Sequence, residues 1–286
     1  MIPTAFDYAR ATSLDDAIAR LQAAGGAGKL LAGGHSLVPL MKLRLSEPAV
    51  LIDIGHIPDL AGIRESDGVV EIGANTRHHD VATSALLRER CPVVADTAAV
   101  IGDPQVRNRG TLGGSLAHAD PAADYPAAML AVDADLHLKG PGGWRVVKAR
   151  DFFQGVFTVD LAADEILAKV TFAASRASAY AKLHQRASRF AIVGVAAALE
   201  TGGGIIRTAR VGLTGAASSP SRLAGVEAAL AGQPATAAAA AAAARGAGDG
   251  VSELNADIHG SAEYRRAMIP VFTRRALEAA LARAGG

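Results

Sequence analysis

Ala32-Gly33-Gly34-His35-Ser36-Leu37 follows a short apolar run at 29–32 and opens a helical pattern at Leu37. Two adjacent glycines let the backbone approach a ligand without a Cβ clash and reach positive φ. The N–H groups of such a turn and helix start point one way, which makes an anion nest suited to a diphosphate. No carboxylate falls between Lys29 and Ser46 to repel an anion. The same residues equally suit a plain strand–turn–helix corner with Ser36 as N-cap. The spacing is not the G-x-G-x-x-G of a Rossmann site, and no Gly-Lys-Ser/Thr of a P-loop follows.

A second corner lies about 80 residues further on, at Thr111-Leu112-Gly113-Gly114-Ser115-Leu116-Ala117-His118-Ala119-Asp120-Pro121-Ala122-Ala123-Asp124. It reads as a glycine-rich loop with hydroxyls at Thr111 and Ser115, stiffened by Asp120-Pro121 and Asp124-Tyr125-Pro126. The two corners can face one extended ligand with a diphosphate, a ribose and a ring system. Asp124 suits hydroxyls or ring N–H groups of that ligand, and equally an N-cap for the helix that begins at Tyr125. Valine at Gly33 or Gly114 is expected to block uptake by clashing with the diphosphate.

Outward from these corners, Ser13 caps a helix over 13–24 with Leu14, Ala17, Ile18 and Leu21 on one face. Strands at 29–32 and 50–54 then make residues 1–55 a β-α-β-α-β unit. From 56 to 175 the pattern predicts short strands at 62–64 and 69–73, helices over 80–90, 93–101 and 125–132, a hairpin of 136–139 with 145–148, and a closing strand at 166–172. Beyond 176, residues 190–201 and 205–213 form an antiparallel hairpin through Gly202-Gly203-Gly204. Helices follow at 226–230 and in the Ala-rich run, and a last helix at 262–284 should kink or break at Pro270. His78-His79-Asp80 reads as a solvent-exposed turn rather than a metal site, and His118 with Asp120 lacks a third metal ligand. No internal repeat is visible.

With 29 basic and 28 acidic residues the formal charge is +1, which removes the electrostatic case for nucleic-acid binding. Arg107 to Arg109, Arg265-Arg266 and Arg274-Arg275 read as solvated faces or partner contacts. The one cysteine, Cys91, can neither form an internal disulfide nor hold an iron–sulfur cluster or a Cys-based zinc site. Neither a signal peptide nor an apolar run of about 20 residues is evident. The expected location is the cytoplasm, the inner face of the membrane included.

Ala32-Gly33-Gly34-His35-Ser36-Leu37-Val38-Pro39-Leu40-Met41-Lys42-Leu43-Arg44 resembles the first FAD signature of the flavoprotein (medium) subunits of molybdenum hydroxylases, and Thr111 to Asp124 resembles the second. That family includes the medium subunit of aerobic carbon monoxide dehydrogenase and the flavin domains of xanthine dehydrogenase. The likeness runs from Phe6-Asp7-Tyr8 to Tyr264-Arg265-Arg266. At Ser115 the carbon monoxide enzymes often carry Asn, so this corner looks like the broader family.

The resemblance implies an α+β fold of the vanillyl-alcohol-oxidase (PCMH) type. A FAD-binding domain over 1–175, with subdomains at about 1–55 and 56–175, precedes a C-terminal domain over 176–286 with a small antiparallel sheet and helices. It implies non-covalent FAD, with the backbone of Ala32, Gly33, Gly34, His35, Ser36 and Leu37 on the diphosphate and His35 as a polar liner. Thr111, Gly113, Gly114 and Ser115 would complete the cradle, with Ala117 and Asp120 from the same signature. Asp124 would meet the ribityl or adenosine side, Ile101 would pack on the cofactor, and Leu161 and Lys182 would lie near the adenine or flavin ring. No catalytic acid–base residue or metal ligand is implied on this chain.

The function implied is a relay. Electrons from [2Fe-2S] clusters on a small subunit pass through FAD to an external acceptor, while a large molybdopterin subunit oxidises the substrate. The assembly expected is a dimer of heterotrimers. A stand-alone flavin oxidase or reductase of the same fold is the alternative, and a non-enzymatic scaffold a third reading.

Overall fold

The computed structural model describes residues 1–284. The first unit contains β1 (Asp7–Arg10), α1 (Leu14–Ala23), β2 (Gly28–Leu31), α2 (Leu37–Lys42) and β3 (Val50–Asp53). Its three strands are parallel, in the order β1-β3-β2. Ser13 Oγ accepts the Asp16 N–H at 3.1 Å and starts α1. That helix turns Ala17, Ile18 and Leu21 inward, where they join Ile52, Leu60 and Ile166 in one small core.

The second unit runs β4 (Ile63–Ser66), β5 (Val69–Gly73), α3 (His78–Thr83), α4 (Ala85–Arg90), α5 (Pro92–Ala99), α6 (Pro104–Arg107), α7 (Leu112–His118), α8 (Tyr125–Ala131), β6 (Asp135–Gly140), β7 (Gly143–Lys148), α9 (Ala149–Phe152), β8 (Phe153–Gly155), β9 (Thr158–Val159) and β10 (Ile166–Ala173). Five strands form an antiparallel sheet in the order β4-β5-β10-β6-β7. Ile72, Leu136, Leu138 and Val170 meet Val93, Val94, Leu116 and Met129 from the helices in the largest core.

The third unit contains β11 (Ser178–His184), β12 (Ala191–Gly202), β13 (Ile205–Thr214), β14 (Ser221–Arg222), α10 (Ala224–Leu230), α11 (Ala237–Ala244) and α12 (Ala262–Ala284). The strands lie antiparallel in chain order. Residues 191–199 are buried without interruption because both faces of β12 are covered. Ala196 and Ala198 face the core of the second unit, while Val193, Val195, Ala197 and Leu199 face α12 and its neighbours. Gly212 on β13 lies so close to α8 that a Cβ would collide with the Ala127 carbonyl oxygen.

Several expectations are corrected. The helix predicted over 80–90 is two, α3 and α4, because Ser84 is extended (ψ 116°) and its hydroxyl caps Leu87 N–H at 3.2 Å. Residues 112–118, read as a loop, are helical, and α6 and β11 carry no strong periodic signal. Pro270 does not break α12. The buried face of Ile269, Phe272, Ala276, Leu277 and Ala280 holds the helix across the missing hydrogen bond. Arg265 is not on a solvated face. It is buried, and donates to the carbonyls of Ile192 (2.9 Å) and Gly215 (2.8 Å) and to the Asp257 carboxylate (2.7 Å).

Replacing Arg265 with Leu would orphan these acceptors beneath α12. Urea unfolding should register a loss of about 3 kcal/mol.

Candidate functional site

The two glycine corners touch. A Cβ on Gly33 would collide with the Arg109 carbonyl oxygen and lie 2.8 Å from the Gly110 Cα, so backbone packs directly on backbone. Gly34 then turns with φ +74°, a conformation that favours glycine. Among the described residues, the amide N–H groups of Gly33, Gly34, His35, Ser36 and Leu37 find no acceptor. Free consecutive amides of this kind are what the expected anion nest requires. Ser36 does not cap α2, because its backbone is already helical (φ −101°, ψ −51°). His35 is exposed, with Nδ1 3.3 Å from the Gly33 carbonyl oxygen.

The second corner differs from the open loop expected. Thr111 is extended, and its Oγ1 accepts the Gly114 N–H at 3.2 Å as the N-cap of α7. Leu112 N–H donates to Thr76 O (3.0 Å) and Gly113 N–H to Ala74 O (2.7 Å), pinning the helix to the end of β5. These early amides are therefore engaged within the protein, and Gly113 is needed because a Cβ there would collide with Ala74. Gly114 is exposed, with only Thr111 Oγ1 near a built Cβ, at 2.8 Å. In the structure, a Gly33 side chain would clash with Arg109-Gly110, the two residues that lead into the second corner.

Downstream, Ser115 and Ala117 are half-buried on α7, and the Asp120 carboxylate accepts Ala122 N–H at 2.8 Å in the turn beyond it. Asp124 makes no cap to α8. Its carboxylate instead takes the Tyr180 hydroxyl on Oδ1 at 2.6 Å and Lys182 Nζ on Oδ2 at 2.8 Å. The Asp124 and Lys182 side chains are 5% and 4% exposed, so this is a buried pair. Burial pushes the Asp124 carboxyl up, against the pull of Lys182 and Tyr180. Burial and the neighbouring Asp124 hold the Tyr180 hydroxyl well above its ordinary value.

Lys182 also donates to Val100 O at 3.2 Å, which brings the adjoining Ile101 to the cluster. Leu161 follows the β8–β9 hairpin, half-buried against the second unit's core. The tip of that hairpin reaches α7 through Phe157, whose ring lies 5.0 Å from that of His118.

Two contributors escape the sequence reading. Tyr180 lacks a motif, and only its place two residues before Lys182 on one strand face could have flagged it. His78, expected in an exposed turn, is buried below Gly110, where a Cβ would lie 2.5 Å from its Nε2. Its Nδ1 has no partner, and its ring tilts on Tyr125 at 5.3 Å. Burial, with His35 and Arg107 nearby, lowers its pKa to about 4, so the imidazole is neutral at physiological pH.

A train of unengaged amides at a glycine corner, packed against a second α+β unit, is the arrangement of an anion-binding protein. Comparison with known proteins gives the particular kind. "FAD binding domain in molybdopterin dehydrogenase" matches residues 4–174 and "CO dehydrogenase flavoprotein C-terminal domain" matches 178–280. The chain belongs to this family of FAD-binding subunits of molybdenum hydroxylases. It is 41% identical to the carbon monoxide dehydrogenase medium chain of Hydrogenophaga pseudoflava over 286 residues, covering 99% of both chains. It is 37% identical to the 6-hydroxypseudooxynicotine dehydrogenase complex subunit alpha of Paenarthrobacter nicotinovorans, covering 99% of this chain and 97% of that one. A solved Hydrogenophaga pseudoflava carbon monoxide dehydrogenase superposes with a TM-score of 0.94 at 42% identity, covering 99% of each chain. The corner's free amides, its lack of carboxylates and its contact with α7 fit the diphosphate of FAD.

Two measurements probe this arrangement. Gly33→Ala should part the corners and lower flavin content per chain at least tenfold, read from flavin absorbance, whereas Gly114→Ala should lower it far less. Acid should also weaken the fold through His78. Its folded-state pKa of about 4 lies below the ordinary 6.5, so the unfolded chain takes up a proton first as pH falls. The stabilisation is complete above pH 6.5 and declines by about 3 kcal/mol on going to pH 4. In His78→Phe, urea unfolding should show that component of the pH dependence gone.

Proposed function

We propose that this chain is the electron-relay subunit of a molybdenum hydroxylase complex, accepting electrons from an iron–sulfur subunit and releasing them to an external acceptor. The observation that carries the reading is the first corner, where five consecutive amides point without acceptors beside a second glycine corner. Bound FAD would supply the redox chemistry, and the protein's part is to bind, orient and tune it. In this reading Ala32 to Leu37 hold the diphosphate through backbone N–H groups, and the Ser115 hydroxyl closes the far side. Asp124 meets the ribityl side, Lys182 and Ile101 line the part of the site toward the ring system, and Leu161 borders it from the hairpin. His35 lines the site without a covalent bond.

The partners in this proposal are a small [2Fe-2S] subunit and a large molybdopterin subunit, in a dimer of heterotrimers. Cys91 supports that division, since it is fully buried with its thiol pushed up to about 12, far from a cluster ligand. Among the described residues no group of His, Cys, Asp or Glu is arranged to hold a metal ion, and no helix is long and apolar enough to cross a membrane. The matched segments fall on either side of residue 175, which supports dividing the chain there. Carbon monoxide is one candidate substrate of the assembly, supported by the full-length likeness to that enzyme's medium chain. A nicotine-derived compound is named for another full-length relative.

The purified chain should carry flavin that acid precipitation releases intact into the supernatant, and should oxidise no substrate by itself. When co-expressed with its two partner subunits, it should co-purify with iron and molybdenum. A flavin-free chain, or one oxidising substrate alone, would overturn the proposal.

A further inference from the structure

Tyr180, Asp124 and Lys182 form one hydrogen-bonded cluster centred on the Asp124 carboxylate, and Tyr180 belongs to neither glycine signature. Tyr180 and Lys182 alternate on the same face of β11, aimed at the start of α8. The phenol reaches Asp124 through a slot that Gly194 opens on β12: a Cβ there would collide with the Tyr180 hydroxyl. Asp124 thus has one donor on each carboxylate oxygen. The Lys182 ammonium has three N–H donors, of which Asp124 and Val100 O engage two, leaving one.

We infer that Tyr180 is a positioning residue for the flavin site: its hydroxyl fixes Asp124 as an ionised acceptor, so that Asp124 compensates the charge of Lys182 and sets its direction. The inference rests on the proposed function, which puts Lys182 beside the ring system. Without the phenol, the buried carboxylate loses one of its two donors and takes up a proton more readily. Lys182 then stands as an uncompensated cation beside the flavin, where it stabilises the electron-rich reduced form.

The groups acting on Asp124 bear on any pH dependence. From β11 these are Tyr180, Lys182 and His184, the last a weaker influence. Tyr125, its neighbour on α8, is held neutral by burial. The adjoining α7 ends in His118 and is followed by Asp120, while Asp96 on α5 is tied to Arg283 at 2.6 Å.

The test is the flavin midpoint potential of the FAD-loaded chain, titrated against pH, in wild type and Tyr180→Phe. Flavin content should be retained. The variant's potential should be more positive, with a displacement that grows as pH falls. Superimposed curves would overturn the inference, even with a lowered melting temperature, because they would leave Tyr180 a purely structural role. If Tyr180→Phe does not fold, Asp124→Asn serves instead, since it makes the group permanently neutral. Its potential should be more positive at every pH, and an unchanged potential would sink the idea. A wild-type chain without flavin would count against the proposed function, whereas a flavin-loaded chain indifferent to both substitutions would count against this inference alone.

Discussion

Close contact between two backbones, Gly33 on one side and Arg109-Gly110 on the other, is the constraint on which the site depends. A side chain at position 33 has nowhere to go, so the first unit can dock on the second only through bare main chain. That docking leaves the amides from Gly33 to Leu37 without acceptors at a corner that is half-buried to exposed. Unpaired polar groups are costly when buried and inexpensive when wet. The corner therefore keeps them at the surface, where a ligand can replace water.

Charge is arranged with similar economy. The corner contains no carboxylate, and His78 behind it is kept neutral by burial. Of the acids in the second corner, Asp120 is engaged by the Ala122 N–H and Asp124 lies in a buried pair with Lys182. In the proposed site, a negatively charged ligand would meet partial positive charge at one end and a compensated ion pair at the other. The C-terminal unit contributes Tyr180 and Lys182, so the pair spans the junction between the two matched domains.

Much of this was legible in the sequence. Paired glycines, the absence of acids and the spacing of the corners point to the nest, and the apolar runs of β12 and β13 announce a hairpin. Misreadings arise where tertiary contacts decide. Leu112 to His118 look like loop because two glycines weaken helix propensity, yet Thr111 caps the segment and the Ala74 and Thr76 carbonyls just beyond β5 accept its first amides. His78 looks exposed because its neighbours are polar, and only the fold places Gly110 over its ring. Arg265 reads as surface by type, whereas four acceptors, the carbonyls of Ile192, Gly215 and Gly260 and the Asp257 carboxylate, hold it inside. Asp124 suits a ligand contact and a helix cap alike, and the partners that hold it come from a strand more than 50 residues away, beyond the reach of local pattern.

The contact at Gly33 also has a bearing on biogenesis. A nascent polypeptide that has emerged only as far as α2 possesses the glycine pair but not the wall against which it rests. The β11 side chains that neutralise Asp124 emerge later still. On the proposed site, cofactor capture would be a late step in maturation, and a prematurely truncated product would remain colourless.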